Sequence, residues 1–112
     1  MKLTHYQHAA ARNAEGIKTP RLALNLLVGL GDLAETVTAA DDAATQPLRE
    51  GAAVDLREQH RESAERFIGV ILFNATALAD RFGVALEPLL SRQVEKMQGI
   101  TDSGRLRMKG DR

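Results

Sequence analysis

Between Arg21 and about Ala40 apolar residues recur at Leu22, Leu26, Leu30, Leu33 and Val37, with Leu24, Leu27 and Val28 beside them. Steps of three and four residues return a side chain to one face of an α-helix, so the spacing predicts a helix. Its apolar surface is wide, which predicts burial on more than one side. Thr19-Pro20 reads as its start, an N-cap followed by Pro at the first helical position. Gly29 and Gly31 each cost about 1 kcal/mol relative to Ala inside a helix and are expected where another backbone comes close.

A second long helix is predicted from about Val54 to Phe82, closed by Gly83 as C-cap. Its first half, DLREQHRESAER, is strongly charged, and its second half, FIGVILFNATALA, is almost wholly apolar. The switch between Arg66 and Phe67 predicts different packing partners for the two halves. Two shorter helices complete the pattern. One runs from Thr4 to about Asn13, with Thr4 and Gln7 at capping-box spacing. The other runs from Glu87-Pro88 to about Met97 and carries Leu89, Leu90, Val94 and Met97. Asp41 to about Ala53, with Pro47 and Gly51, reads as the one real linker. The expected architecture is an all-α antiparallel four-helix bundle of two long and two short helices. Residues 1–98 form the domain, and residues 99–112 a flexible basic tail. The apolar run Phe67 to Leu72 exceeds what one bundle can bury, so a homo-oligomer, dimer or tetramer, is expected.

Composition narrows this further. At 112 residues the chain is of single-domain length, and aromatic residues are only 4%, so Ala, Leu and Val must fill the core. Lys plus Arg and Asp plus Glu number 15 each, which gives no general attraction to nucleic acid or anionic membrane. With no cysteine, disulfides and thiolate metal sites are excluded. No stretch reads as apolar enough, for long enough, to span a membrane, and the N-terminus lacks a signal-peptide core. The expected setting is cytoplasmic.

Specific residues then suggest a relationship. Val28-Gly29-Leu30-Gly31-Asp32-Leu33-Ala34-Glu35 is similar to EELGELAE, Gly69 to Asn74 to GDVLFN, and Leu78 to Val84 to LADRLGI. Tyr6-Gln7 matches a common opening of the first helix. In this order, from Tyr6 to Met97, the chain resembles the MazG-like nucleotide pyrophosphohydrolases. The resemblance implies an oligomeric helical bundle that hydrolyses nucleoside triphosphates to the monophosphate and pyrophosphate. It implies an E-E-x-x-E helix facing an E-x-x-D helix, whose carboxylates hold Mg²⁺, a hard cation that takes oxygen ligands and activates water.

The aligned positions break that pattern. The leading glutamates fall on Val28 and Gly29, the third on Asp32, and the E-x-x-D pair on Phe67 and Val70. Only Asp32 keeps a carboxylate, with Glu35 one turn further on. The expectation is a catalytically degenerate homologue with no cofactor, acting as an oligomeric binding or regulatory protein. The alternative is an active Mg²⁺ enzyme with a displaced site using Glu62 and Glu65. Those two precede Phe67 and Val70 by five residues, a rotation of about 140° around the helix. A third reading is a helical interaction module unrelated to nucleotides.

The remaining candidates each have a bland reading beside the functional one. Glu58, Glu62 and Glu65, among Arg57, Arg61 and Arg66, read most simply as an ion-paired surface. Asn74 either contacts a bound nucleotide or hydrogen-bonds across a subunit interface. Lys96, Arg105 and Arg107 resemble the family's phosphate-meeting basic residues, or form a basic tail. His5, His8 and His60 show no ligand spacing.

Overall fold

A computed structural model describes residues 1–47 and 49–110, with side chains described through residue 100. Four helices follow one another, and the described residues contain no strand: α1 (Leu3–Asn13), α2 (Thr19–Ala44), α3 (Glu50–Arg81) and α4 (Leu86–Gly110). The fold is all-α, as the apolar spacing predicts.

The frame of the molecule is the antiparallel α2–α3 pair. Leu22, Leu26, Gly29, Leu33, Thr36, Ala40 and Ala43 on α2 recur at steps of four and three and are all buried or half-buried. That is the period of a coiled-coil seam, and Leu56, His60, Ser63, Phe67, Ile71 and Asn74 continue it on α3. The register is fixed by Gly29, where a Cβ would lie 3.2 Å from Ile71 Cγ1 and 3.3 Å from Val70 Cγ1. Gly29 is the close approach expected of it. Gly31 is not, because nothing lies within 4 Å of its missing Cβ.

The short α1 lies across α3 near the end of the pair, and the fully buried core is correspondingly small. Ala14, Leu22 and Ala77 meet there, with Ile17, Phe73 and Leu78 packed around them. Arg81 closes this corner: Nη2 donates to the Ala14 carbonyl at 2.8 Å and Nη1 to Thr19 Oγ1 at 3.1 Å. A cation is favoured there, since the Ala14 carbonyl belongs to the C-terminal end of α1.

Several boundaries differ from the sequence reading, each for a local reason. Thr4 and Gln7 do not form a capping box, and Lys2 is the N-cap without a side-chain bond. Both side chains instead reach the start of α4. Gln7 Nε2 donates to the Val84 carbonyl at 2.7 Å, and Gln7 Oε1 accepts from Leu86 N–H at 2.9 Å. Thr4 Oγ1 donates to Glu87 Oε2 at 3.2 Å. A tertiary partner has displaced the local one. Lys18, not Thr19, is the N-cap of α2, and Thr19 is spent on Arg81.

The expected linker at 41–53 is largely helical. α2 runs on to Ala44 and α3 begins at Glu50, because alanines favour helix and Pro47 is the real break. Gly83 does end α3, at φ +70, with Val84 N–H bonded to the Ala79 carbonyl at 2.8 Å and Gly83 N–H to that of Asp80 at 3.0 Å. Those are the two bonds of a Schellman motif, and they need a left-handed residue at this position.

After that turn α4 departs at 112° to α3. It is 25 residues long and continues past Met97, so three helices are long rather than two. Its principal packing partner is α1 rather than the α2–α3 pair. The result is an open molecule, with a radius of gyration of 18.8 Å against about 13 Å for a compact chain of this length. Large apolar side chains are exposed on α2 (Leu24, Leu27, Val28, Leu30) and α3 (Ile68, Val70, Leu72). One further expectation is corrected. α2 holds an 18-residue window of mean hydropathy 1.3, long and apolar enough by composition to cross a membrane. Asp32 and Glu35 interrupt the run, but Leu, Val and Ala on every side carry its average.

Candidate functional site

The register of the α2–α3 pair decides which candidate residues meet. Gly29 lies against Val70, so the segment Val28 to Asp32 runs beside the segment Phe67 to Val70. These are the positions at which the resemblance places the family's carboxylates. Here the space between the helices is occupied by hydrocarbon. A side chain at position 29 would press on Ile71 and Val70, and Phe67 is half-buried with the Arg66 guanidinium 4.9 Å from its ring centroid. Asp32 is half-buried and Glu35 exposed. The side chains present do not fit a Mg²⁺ ion, which needs several hard oxygen ligands and near-octahedral geometry.

The displaced-site residues point elsewhere. Glu65 binds Arg61 Nη1 at 3.1 Å, and Glu62 is exposed. Arg61 also chelates Glu58, its Nε lying 3.1 Å from each Glu58 oxygen. That hydrogen bond holds the Glu58 carboxyl below its ordinary value, and the same pair raises the Arg61 guanidinium. Of the ion-paired surface in the simpler reading, Glu58, Arg61 and Glu65 are joined, at i, i+3 and i, i+4 spacing. Among the described residues no group of three or more His, Asp or Glu side chains is placed to hold a metal ion.

Asn74 stands one turn beyond Val70 and is 4% exposed. Its Nδ2 donates to the Val70 carbonyl at 2.8 Å, while Oδ1 is buried and has no partner among the described residues. An acceptor left in this state costs roughly 1–3 kcal/mol. Lys96 is exposed on α4, and Arg105 lies outside the residues whose side chains are described. His5 and His8 are exposed on α1.

The residue that sequence reasoning missed is His60. It is half-buried on α3, with Nε2 enclosed and without a partner among the described residues. Its neighbours hid it, since the surrounding Arg and Glu residues read as a solvated face. The signal was its spacing: Leu56, His60 and Phe67 share one face at steps of four and seven. Beside it a cavity of about 580 Å³ opens between the loop-proximal halves of α2 and α3. Comparisons of the chain with family models, with curated proteins and with solved structures return no match.

Proposed function

We propose that this chain is a MazG-like nucleotide pyrophosphohydrolase homologue that has lost its catalytic metal site. In this reading it acts in the cytoplasm as an oligomeric binding or regulatory protein. The observation that carries it is the apposition of Gly29 with Val70, which sets the two motif-like segments side by side as the resemblance requires. Four of the five aligned carboxylate positions are Val28, Gly29, Phe67 and Val70, and one remaining acid cannot hold Mg²⁺ against its hydration shell. A retained binding role would place the nucleotide at this seam beside Asn74. Lys96 and Arg105 would serve the phosphates.

Exposed apolar surface supports self-association. Leu24, Leu27, Val28 and Leu30 on α2 and Ile68 and Leu72 on α3 stand exposed in the lone chain, an apolar surface that a second copy would cover. A standard interface covers about 800 Å² per partner, and obligate ones more. A second copy is a better cover for α2 than lipid. An acid near the centre of a membrane-spanning helix costs about 2.5–3.5 kcal/mol for Asp, and α2 carries Asp32 and Glu35 within its apolar stretch.

The test is pyrophosphate release from each common nucleoside triphosphate with Mg²⁺ or Mn²⁺. Background rates are expected. An enzymatic rate that Asp32→Ala or Glu65→Ala abolishes would replace this reading with the displaced-site enzyme.

A further inference from the structure

The cavity beside His60 lies at the opposite end of the α2–α3 pair from the small Leu22–Ala77 core. It exists because the facing positions are small: Ala40, Ala43 and Ala44 on α2 meet Ala53 and Ala64 on α3, and methyl groups cannot fill the space between two helices. Its volume of about 580 Å³ falls within the range of small-molecule sites, roughly 300–1,000 Å³. The walls are mainly hydrocarbon, from these alanines with Val37 and Leu56.

The polar groups in the wall are few, the uncharged Thr36 and Gln46 beside basic side chains only. Arg57, His60 and Arg61 line the cavity, and no carboxylate does. Arg61 is held by Glu58 and Glu65. Arg57 is therefore left to meet a ligand, while His60 Nε2 is closed off from the cavity by protein. Arg57 lies one turn before His60 on α3, since i and i+3 share a helix face. A guanidinium offers a fork of N–H groups that matches a carboxylate.

We propose that this cavity is a binding site for a small apolar carboxylate, whose hydrocarbon body packs against Val37, Ala40 and Leu56 and whose head is held by Arg57. The site is independent of the seam at Gly29 and Val70. It requires neither nucleotide nor metal.

Decanoate is a suitable probe, with decanol as its uncharged counterpart, each titrated against the full chain by calorimetry and thermal unfolding. Saturable decanoate binding is expected, with decanol at least about tenfold weaker because it forfeits the charge-assisted bonds. Arg57→Gln should bring decanoate down to the level of decanol. Ala44→Phe, which puts a ring into the cavity from an exposed position, should weaken binding of both while the fold persists by circular dichroism. Three results would overturn the proposal: no decanoate binding at millimolar concentration, binding that neither variant changes, or Ala44→Phe dissociating an oligomer. The last would mean that a second copy fills the cavity.

Discussion

Gly29 and Gly31 sit two residues apart in α2, in the same helix interior, and the structure assigns them opposite responses to alanine. Replacing Gly by Ala in a helix gains about 1 kcal/mol at either site, because Ala surrenders less backbone entropy. At Gly31 nothing lies within 4 Å of the new methyl group, so that gain is kept. At Gly29 the methyl would sit 3.2 Å from Ile71 Cγ1 and 3.3 Å from Val70 Cγ1. Carbon atoms prefer about 3.5–4.0 Å, so α3 must yield by a few tenths of an ångström. Overpacking typically costs about 1–3 kcal/mol, and the half-open position of Val70 favours the lower end of that range. Gly31→Ala is thus expected to stabilise by about 1 kcal/mol, while Gly29→Ala is neutral or destabilising by up to about 2 kcal/mol. Urea unfolding at one fixed protein concentration reads the difference. With a slope of about 1–3 kcal/mol/M, a gap of 1 kcal/mol separates the midpoints by roughly 0.3–1 M. Equal stabilisation by the two variants would refute the close approach of α2 and α3 at this level, and with it the register that aligns Val28 to Asp32 with Phe67 to Val70.

Association is expected at micromolar concentration, with light scattering giving at least twice the 12.2 kDa chain mass. Leu27→Asp should reduce it to a monomer. In a lone chain Leu27 is 65% exposed and the substitution would be harmless, so a protein that is monomeric before and after contradicts the interface. Glu58 is expected to titrate below the ordinary glutamate value of about 4.3, because Arg61 hydrogen-bonds its ionised form. A depressed folded pKa adds stability above the unfolded value and loses it as pH falls through the lower folded one, so the contribution fades in acid. Carboxyl NMR titration checks this, with Arg61→Gln returning Glu58 to normal; an unchanged Glu58 in that variant would contradict the pairing.

The helices were legible because spacing is a local property. Leu22, Leu26 and Leu33 keep helical period, and Gly83 announces its left-handed turn. What escaped was set by distant partners. Thr4 and Gln7 have the spacing of a local cap, yet Val84, Leu86 and Glu87 of the next element claim their side chains. The length of α4 escaped as well, because its apolar spacing thins out after Met97 while helix continues to Gly110. Of the candidate site, the apposition of the two motif-like segments follows the order in the resemblance, while the sequence offered Gly29 and Gly31 alike as close approaches and only Gly29 is one. His60 could not be weighed from its charged neighbours alone. Its cavity arises from five alanines on two helices, none distinctive by itself.

The most direct test of the central claim restores carboxylates where the resemblance places them. Gly29 must stay, because any side chain there meets Ile71. The variant is therefore Val28→Glu, Phe67→Glu and Val70→Asp around the native Asp32, and the measurement is its thermal unfolding with and without millimolar Mg²⁺. Phe67→Glu puts a charge at a half-buried position and should destabilise the metal-free protein, while positions 28 and 70 are exposed. A ligand that binds only the folded state then raises the apparent stability. The account predicts that Mg²⁺ recovers part of the loss in the variant and leaves the parent unchanged. A parent whose melting temperature climbs with Mg²⁺, and stops climbing in Asp32→Ala, would contradict it. So would a folded variant that gains nothing from the metal.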